Sequence, residues 1–258
     1  MRRTAHGILV YCITEEKALP PAPGMHPTRD VYLITHRDLA AVASEAPWDD
    51  FGALALRRHL QDASWLEQEA RAHERVVEQI MADRPVLPMK LCTVFRSERR
   101  VRAMLELYAV EFHRALGQLR KKQEWGVKMY FCSPPLPVGV GKGPLSGKEY
   151  LLIRRAQHRR EAEAREAIGR RSQASFKDLA RYADRIQLKP VAPTAEPGGR
   201  QLVWDAVCLL TRPRLEAFER RVGRLEKELE AAGLHFELSG PWPPYHFVAE
   251  ALGNVPLH

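Results

Sequence analysis

A chain of 258 residues, 45% hydrophobic and 28% charged, has the make-up of a globular protein with a buried core, and its length favours two modest domains. No run of about 18 apolar residues occurs, which argues against a membrane-spanning helix, and Met1-Arg2-Arg3-Thr4-Ala5-His6 leads into an apolar run without a signal-peptide pattern, so a cytosolic location is expected. The net charge of +8 permits attraction to acidic partners, nucleic acid included, without selecting one.

Residues 7–13 are apolar on both faces, Ile8, Val10 and Cys12 alternating with Leu9, Tyr11 and Ile13, which predicts a central strand. Residues 14–29 carry Pro20, Pro21, Pro23, Gly24 and Pro27 and form a long break. Residues 30–35 and 39–44 read as a hairpin turning at His36-Arg37-Asp38. After Trp48 the period changes: Leu66, Ala70, His73, Val77 and Ile80 recur at four and three, the inward stripe of a helix ending near 83–85. His73 on that stripe reads as a half-buried structural histidine; a general base there needs a partner group that spacing does not reveal.

Residues 86–95, VLPMKLCTVF, predict a second apolar strand, with Pro88 marking an edge or bulge. From Ser97 a helix follows with the stripe Val101, Met104 or Leu105, Tyr108, Phe112, Ala115 or Leu116 and Leu119, ending at Arg120-Lys121-Lys122. Residues 1–122 therefore predict an α+β sandwich of ferredoxin-like type, with helices on one sheet face.

Residues 124–132 open a second unit, with Val127, Met129 and Phe131 inward and Lys128 and Tyr130 outward. The glycine-rich connection GVGKGPLSGK departs from the phosphate-loop pattern, since Gly147-Lys148 is followed by Glu149 where a hydroxyl is required. Residues 148–186 predict one long helix or two abutting ones. Over 148–171 eight basic residues face four glutamates, eight minus four giving +4, and Glu161/Arg165 and Glu166/Arg170 lie one turn apart. Its latter half restores an apolar stripe at Ile168, Ser172, Phe176, Leu179, Ala183 and Ile186.

A short strand is expected at 188–191 and a longer one at 202–210. A helix follows, capped by Thr211, with Pro213 in its first turn, a stripe of Leu215, Phe218, Val222, Leu225 and Leu229, and Gly233 as its C-terminal stop. A last strand runs into Gly240-Pro241-Trp242-Pro243-Pro244-Tyr245-His246-Phe247-Val248, where three prolines in four residues make a rigid corner before a short apolar run. Residues 123–258 thus predict a second, related α+β domain of order βαββαβ with a long helix. Two readings of the corner stay open: a clasp closing the second sheet, or an aromatic peptide-docking site.

The terminal GPWPPYHFV, the segment AHERVVEQIMADRPVLPMKLCTVF over 72–95, the strand EWGVKMY over 124–130 and GKEYL over 147–151 resemble, in this order and spacing, the gas vesicle protein F and L family. Leu91 and Cys92 depart from the Phe and Gly usual there, a difference that bears on F against L. The resemblance implies two α+β domains, the first ferredoxin-like, and an accessory role in gas vesicle biogenesis without catalysis. It implies as partners the small hydrophobic shell protein and other accessory proteins, and a cytoplasmic, gas-vesicle-associated location.

Strands apolar on both faces need a second cover, supplied by the other domain, the long loop or a partner segment. The candidate partner-binding residues are accordingly Leu9, Tyr11, Leu87, Met89, Leu91, Trp242 and Tyr245. No catalytic residue, cofactor or metal is expected, and Cys12, Cys92, Cys132 and Cys208, scattered in apolar runs, read as buried free thiols. Two further readings remain. A basic RNA-binding module would use Arg154, Arg155, Arg159 and Arg160, although these arginines alternate with alanine and glutamate and not with stacking aromatics. A hydrolase would use His73 or His6 with a neighbouring nucleophile or carboxylate.

Overall fold

The computed structural model describes residues 6–19, 25–132, 147–191 and 200–253. The chain divides into two compact units, one of residues 1–124 and 241–258, the other of 125–240.

In the first unit β1 (His6–Glu15), β2 (Val31–His36), β3 (Leu39–Pro47), β4 (Val86–Pro88) and β5 (Val94–Phe95) form one sheet in the order β2-β3-β1-β4, with β5 also paired to β1. The described pairings within it are antiparallel. This is the strand order of a split βαβ sheet, and where the first helix would stand the described residues 16–19 and 25–30 form none. β2 and β3 make the expected hairpin, and Arg37 takes a left-handed φ of 55° in its two-residue turn.

Two short helices, α1 (Trp48–Phe51) and α2 (Ala53–His59), follow β3. Then comes α3 (Ala63–Met81), whose first amides at Ser64 and Trp65 donate to the Asp62 carboxylate. Its buried residues Val76, Val77 and Ile80 meet Leu9, Tyr11, Cys12, Val42, Ala46 and Val86. β1 carries a register shift between Val10 and Cys12, which puts Tyr11 and Cys12 into the same cluster.

Val10 and Ile13 are fully buried outside that cluster and take the opposite face, over which α4 (Glu98–Leu107) and α5 (Ala109–Leu119) supply Val101, Leu105, Phe112, Ala115 and Leu116. The cover that β1 needs on its second face is therefore in the same unit, and helices lie on both sides of the sheet. That corrects the expectation of helices on one face. It follows from α4 and α5 carrying their own inward stripe, and the single helix expected there is broken at Tyr108, whose ψ of 22° leaves the helical range.

The 86–95 run is not one continuous strand. β4 pairs with β1 at Cys12, Ile13 and Thr14, and β5 pairs with it at Ile8 and Leu9. The residues between leave the ladder, tied back by Met89 N–H to Tyr11 C=O at 2.9 Å and Val10 N–H to Thr93 C=O at 3.0 Å. Cys92 sits in this excursion at φ 61°, a left-handed position.

The second unit runs β6 (Lys122–Cys132, whose first three residues belong to the first unit), α6 (Gly147–Leu179), β7 (Arg185–Lys189), β8 (Arg200–Thr211), α7 (Arg212–Leu229) and β9 (Leu234–Trp242, whose last two residues belong to the first unit). This is the expected βαββαβ order, and the sheet is ordered β7-β8-β6-β9. The core joins Val127, Met129, Trp204, Ala206, Cys208, Phe218, Val222 and Leu225 with Leu179 and Ala183, and Ile168 and Phe176 of α6 pack against it. The long helix stops at Leu179, so Ile186, expected on its stripe, belongs to β7. Tyr130, expected outward, is buried to 2% with the Arg200 guanidinium 4.3 Å from its ring centre.

Thr211 stands at the N-terminus of α7 but makes no side-chain cap; its N–H instead donates to the Asp184 carboxylate at 2.8 Å. Gly233 ends the helical segment at φ 73°, where a Cβ would collide with the Cys132 carbonyl.

The C-terminal corner differs most from expectation. Residues 245–248, expected only as a short apolar run, are the start of α8 (Tyr245–Leu252), which packs on β4 and α5 of the first unit. The expected second domain over 123–258 accordingly ends at Gly240. The physical reason is the stripe Phe247, Val248, Ala251 and Leu252, all buried, which gives one apolar helical face that β4 and α5 receive. The glycine-rich connection of 133–146 lies outside the described residues.

Candidate functional site

The candidate residues separate by burial. Leu9, Tyr11, Leu87 and Met89 are at most 2% exposed and belong to the core of the first unit, so they form no accessible contact surface in this fold. They face inward because the sheet is covered on both sides. Leu91 is half-buried in the excursion between β4 and β5. Trp242 and Tyr245 are surface residues, 40% and 37% exposed, on either side of Pro243-Pro244.

Around Tyr11 the fold gathers a polar cluster that spacing alone did not reveal. Tyr11 Oη lies 2.8 Å from Ser44 Oγ, and its ring is 5.4 Å from that of His73 and 6.0 Å from that of His26. Arg29 donates to both Glu69 oxygens at 2.9 and 2.7 Å, contacts His26 Nε2 at 3.0 Å and stacks 4.6 Å from the centre of the Phe51 ring. This bidentate pair fastens the end of the long connection to α3. Burial pushes His73 down to about 4, and burial followed by the Arg29 charge does the same to His26, so both rings are neutral near pH 7. Among the described residues the His73 ring meets no side-chain hydrogen-bond partner, and the Met89 backbone offsets part of its downward shift.

The chemistry of this cluster is that of a packed interior. Burial raises both thiols near it, Cys12 strongly and Cys92 to about 11, and the Glu69 carboxylate is held by Arg29. Among the described residues His73 has no carboxylate or nucleophile in hydrogen-bond reach, so support for the hydrolase reading is not found there. His6 lines a shallow pocket of about 360 Å³ with Thr28, Arg29, Asp30, Tyr32, Glu45 and Pro47, and among the described residues no hydrogen bond joins it to either carboxylate. Among the described residues no group of three or more His, Cys, Asp or Glu side chains is placed to hold a metal ion, and Cys12, Cys92 and Cys132 are free thiols.

On α6, Arg154, Arg155 and Arg159 are exposed, and Arg160's side chain lies outside the described residues. Arg159 pairs with Glu163 at 3.2 Å and Arg170 with Glu166, one turn apart, which is how a solvated helix face disposes of its charge.

The C-terminal segment carries the second constellation. Glu124 at the start of β6, itself 2% exposed, accepts the His246 backbone N–H at 3.1 Å and contacts His246 Nδ1 at 2.6 Å. A carboxylate remote in sequence thus occupies the place of an N-cap for α8. At the other end Arg114 donates to the Ala251 carbonyl at 3.3 Å. Burial raises the Tyr245 hydroxyl well above its ordinary value, with Glu74 and Glu78 of α3 adding to the shift. No helix among the described residues is long and apolar enough to cross a membrane.

The chain matches the family model described as gas vesicle synthesis protein GvpL/GvpF over residues 7–249. It is 32% identical over 262 residues to gas vesicle protein L of Streptomyces sp. (strain CB03234), covering 95% of this chain and 94% of that protein. The fold resembles the crystal structure of gas vesicle protein GvpF from Anabaena sp. PCC7120, with a TM-score of 0.62 at 20% identity over 94% of this chain and 96% of that one. It also resembles GvpF from Microcystis aeruginosa, with a TM-score of 0.57 at 17% identity over 94% and 98% of the two chains. Matched over almost its whole length, the chain belongs to the gas vesicle synthesis protein GvpL/GvpF family.

Proposed function

We propose that this protein acts in gas vesicle assembly without catalysis, by binding the small hydrophobic shell protein and other accessory proteins and so helping to nucleate or chaperone the shell. On this reading it is cytoplasmic and gas-vesicle associated. The end-to-end relation to gas vesicle protein L is the observation that carries the reading. The surface that best fits the contact is the corner at Trp242 and Tyr245, two exposed aromatics held apart by a rigid proline pair. Aromatics of this kind supply contact area at low cost in side-chain entropy.

The test is capture of the shell protein by the tagged full chain, wild type against Trp242→Ala/Tyr245→Ala. Capture should fall at least tenfold in the double variant, with the fold retained and the melting temperature lowered only modestly, since Trp242 and Tyr245 are 40% and 37% exposed although the Tyr245 hydroxyl is buried. Equal capture by the two proteins would remove the corner from the contact. No capture by either would overturn the shell-binding reading.

A further inference from the structure

Residues 25–30 belong to no helix or strand, yet Met25 and His26 are only 6% and 4% exposed. Met25 joins the core cluster of Leu9, Tyr11 and Val77. The tie to α3 is Arg29, which donates to both Glu69 oxygens and lies over the buried Phe51 ring. The same guanidinium meets His26, so one cation links the histidine, the carboxylate and the aromatic ring.

Two donors converge on the His26 ring. The Thr28 backbone N–H points at Nδ1 from 3.2 Å, and an Arg29 guanidinium nitrogen stands 3.0 Å from Nε2. A guanidinium offers no acceptor, so its contact lasts only while Nε2 is unprotonated. A neutral imidazole has a single acceptor nitrogen and can satisfy one of the two donors. An imidazolium satisfies neither, and it sets a second cation against Arg29 at hydrogen-bond distance. The charged groups that act on His26 are Arg29, beside it in the chain, and Glu69 and Arg75 of α3. Its titratable ring neighbours are Tyr11 of β1, 6.0 Å away, and His73 of α3. Glu69 is the one anion among these groups, and Arg29 already occupies both of its oxygens.

We propose that His26 is an acid-operated latch: proton uptake by its ring breaks the contact with Arg29, loosens the Arg29–Glu69 pair and frees Met25 from the core while the sheet of the first unit stays closed. Burial, and after it the Arg29 charge, hold the ring at about 4 in the closed state, against 6.5 when free. The latch is therefore shut above pH 6.5, and its opening constant grows as the pH falls toward 4, by about 20-fold between pH 7 and pH 5. His73 is not the trigger. It stands on α3 itself, and its ring meets no side-chain hydrogen-bond partner among the described residues, so its proton breaks no tie to Arg29. The latch does not depend on the function proposed above.

Peroxide oxidation of methionine in the full chain tests this, since the thioether reacts only when exposed and does not itself titrate. Met25 should oxidise at least tenfold faster at pH 5 than at pH 7. Met89, fully buried in the same unit, should change by less than threefold. His26→Gln should hold the Met25 response below threefold, and His73→Gln should leave it above fivefold. An unchanged Met25 rate in wild type overturns the latch, and so does a Met89 rate that rises in step, which would mean that the whole unit unfolds. A full response in His26→Gln, or its loss in His73→Gln, overturns the assignment to His26. Should the variants fail to fold, histidine ring NMR of wild type decides. The His26 ring should take up its proton over the pH range in which Met25 accelerates, and a ring that stays neutral there overturns the proposal.

Discussion

Replacing Glu124 by alanine removes the only described acceptor of the His246 amide at the start of α8. A hydrogen bond to a charged group contributes about 1.5–3 kcal/mol, and a carboxylate at a helix N-terminus adds about 0.3–1 kcal/mol. The contact to the His246 ring counts for less, because that side chain is 44% exposed. Part of the gain is offset by relief of the buried carboxylate's desolvation, so α8 docking should weaken by roughly 2–3 kcal/mol.

Because α8 packs on β4 and α5, the first effect is local opening. Hydrogen exchange of the amides over 245–252 should accelerate roughly 30- to 140-fold, at about 1.4 kcal/mol per tenfold. The β1 amides should change by less than about threefold. Glu124→Gln keeps an oxygen acceptor without the charge and should show about half the effect in free energy. Unchanged protection of α8 in Glu124→Ala would refute the reasoning, since α8 would then be held by its apolar stripe alone.

Cys92→Gly should stabilise the protein by about 0.5–1 kcal/mol in urea unfolding: relief of a left-handed φ is worth about 1–2 kcal/mol, less glycine's extra unfolded-state entropy of about 0.5–1 kcal/mol. His26 and His73 are held near 4 in the fold against 6.5 when free, so the unfolded chain takes up protons first. Stability should be full above pH 6.5 and fall as the pH drops toward 4, by up to about 3 kcal/mol per ring. Urea midpoints at pH 7, 5.5 and 4.5 test this, and His73→Phe should reduce the slope. Arg29→Met leaves Glu69 partly buried and unpaired and should cost about 2–4 kcal/mol in the same assay. Arg29→Lys should not restore it fully, since an ammonium cannot make the bidentate contact.

Much of the architecture could be read before the structure. The two-faced apolar pattern of residues 7–13 placed β1 at the centre of its sheet, and the spacing Leu215, Phe218, Val222, Leu225 located α7. What failed were features that depend on distant residues. Nothing local in Tyr245-His246-Phe247-Val248 says helix; the signal lies in the continuation to Ala251 and Leu252, and its cap is a glutamate more than a hundred positions earlier. The excursion between β4 and β5 was marked only by Pro88, and its left-handed turn falls on Cys92, a residue type that gives no hint of positive φ. Of the candidate contact residues, Leu9, Tyr11, Leu87 and Met89 were chosen because two-faced strands need a second cover. That inference was sound, but the cover proved to be α4 and α5. Periodicity identifies the need for burial without naming what meets it. The Tyr11 cluster went unseen because Arg29, Ser44 and the α3 pair Glu69 and His73 come from three separate stretches of chain, and only that pair shares a helical spacing.

The first unit is built from two separated stretches of chain, and this sets an order of events during synthesis. Residues 1–124 leave the ribosome well before residues 241–253, and in the interval β4 and α5 lack the helix that finally packs on them. At about 5–20 residues per second the interval lasts roughly 6–25 s. For that time the nascent chain exposes an apolar strip beside a sheet edge, the kind of surface that chaperones and neighbouring chains recognise. Slower translation across the second unit should therefore raise aggregation of the nascent protein, and supplying residues 241–253 in trans should lower it.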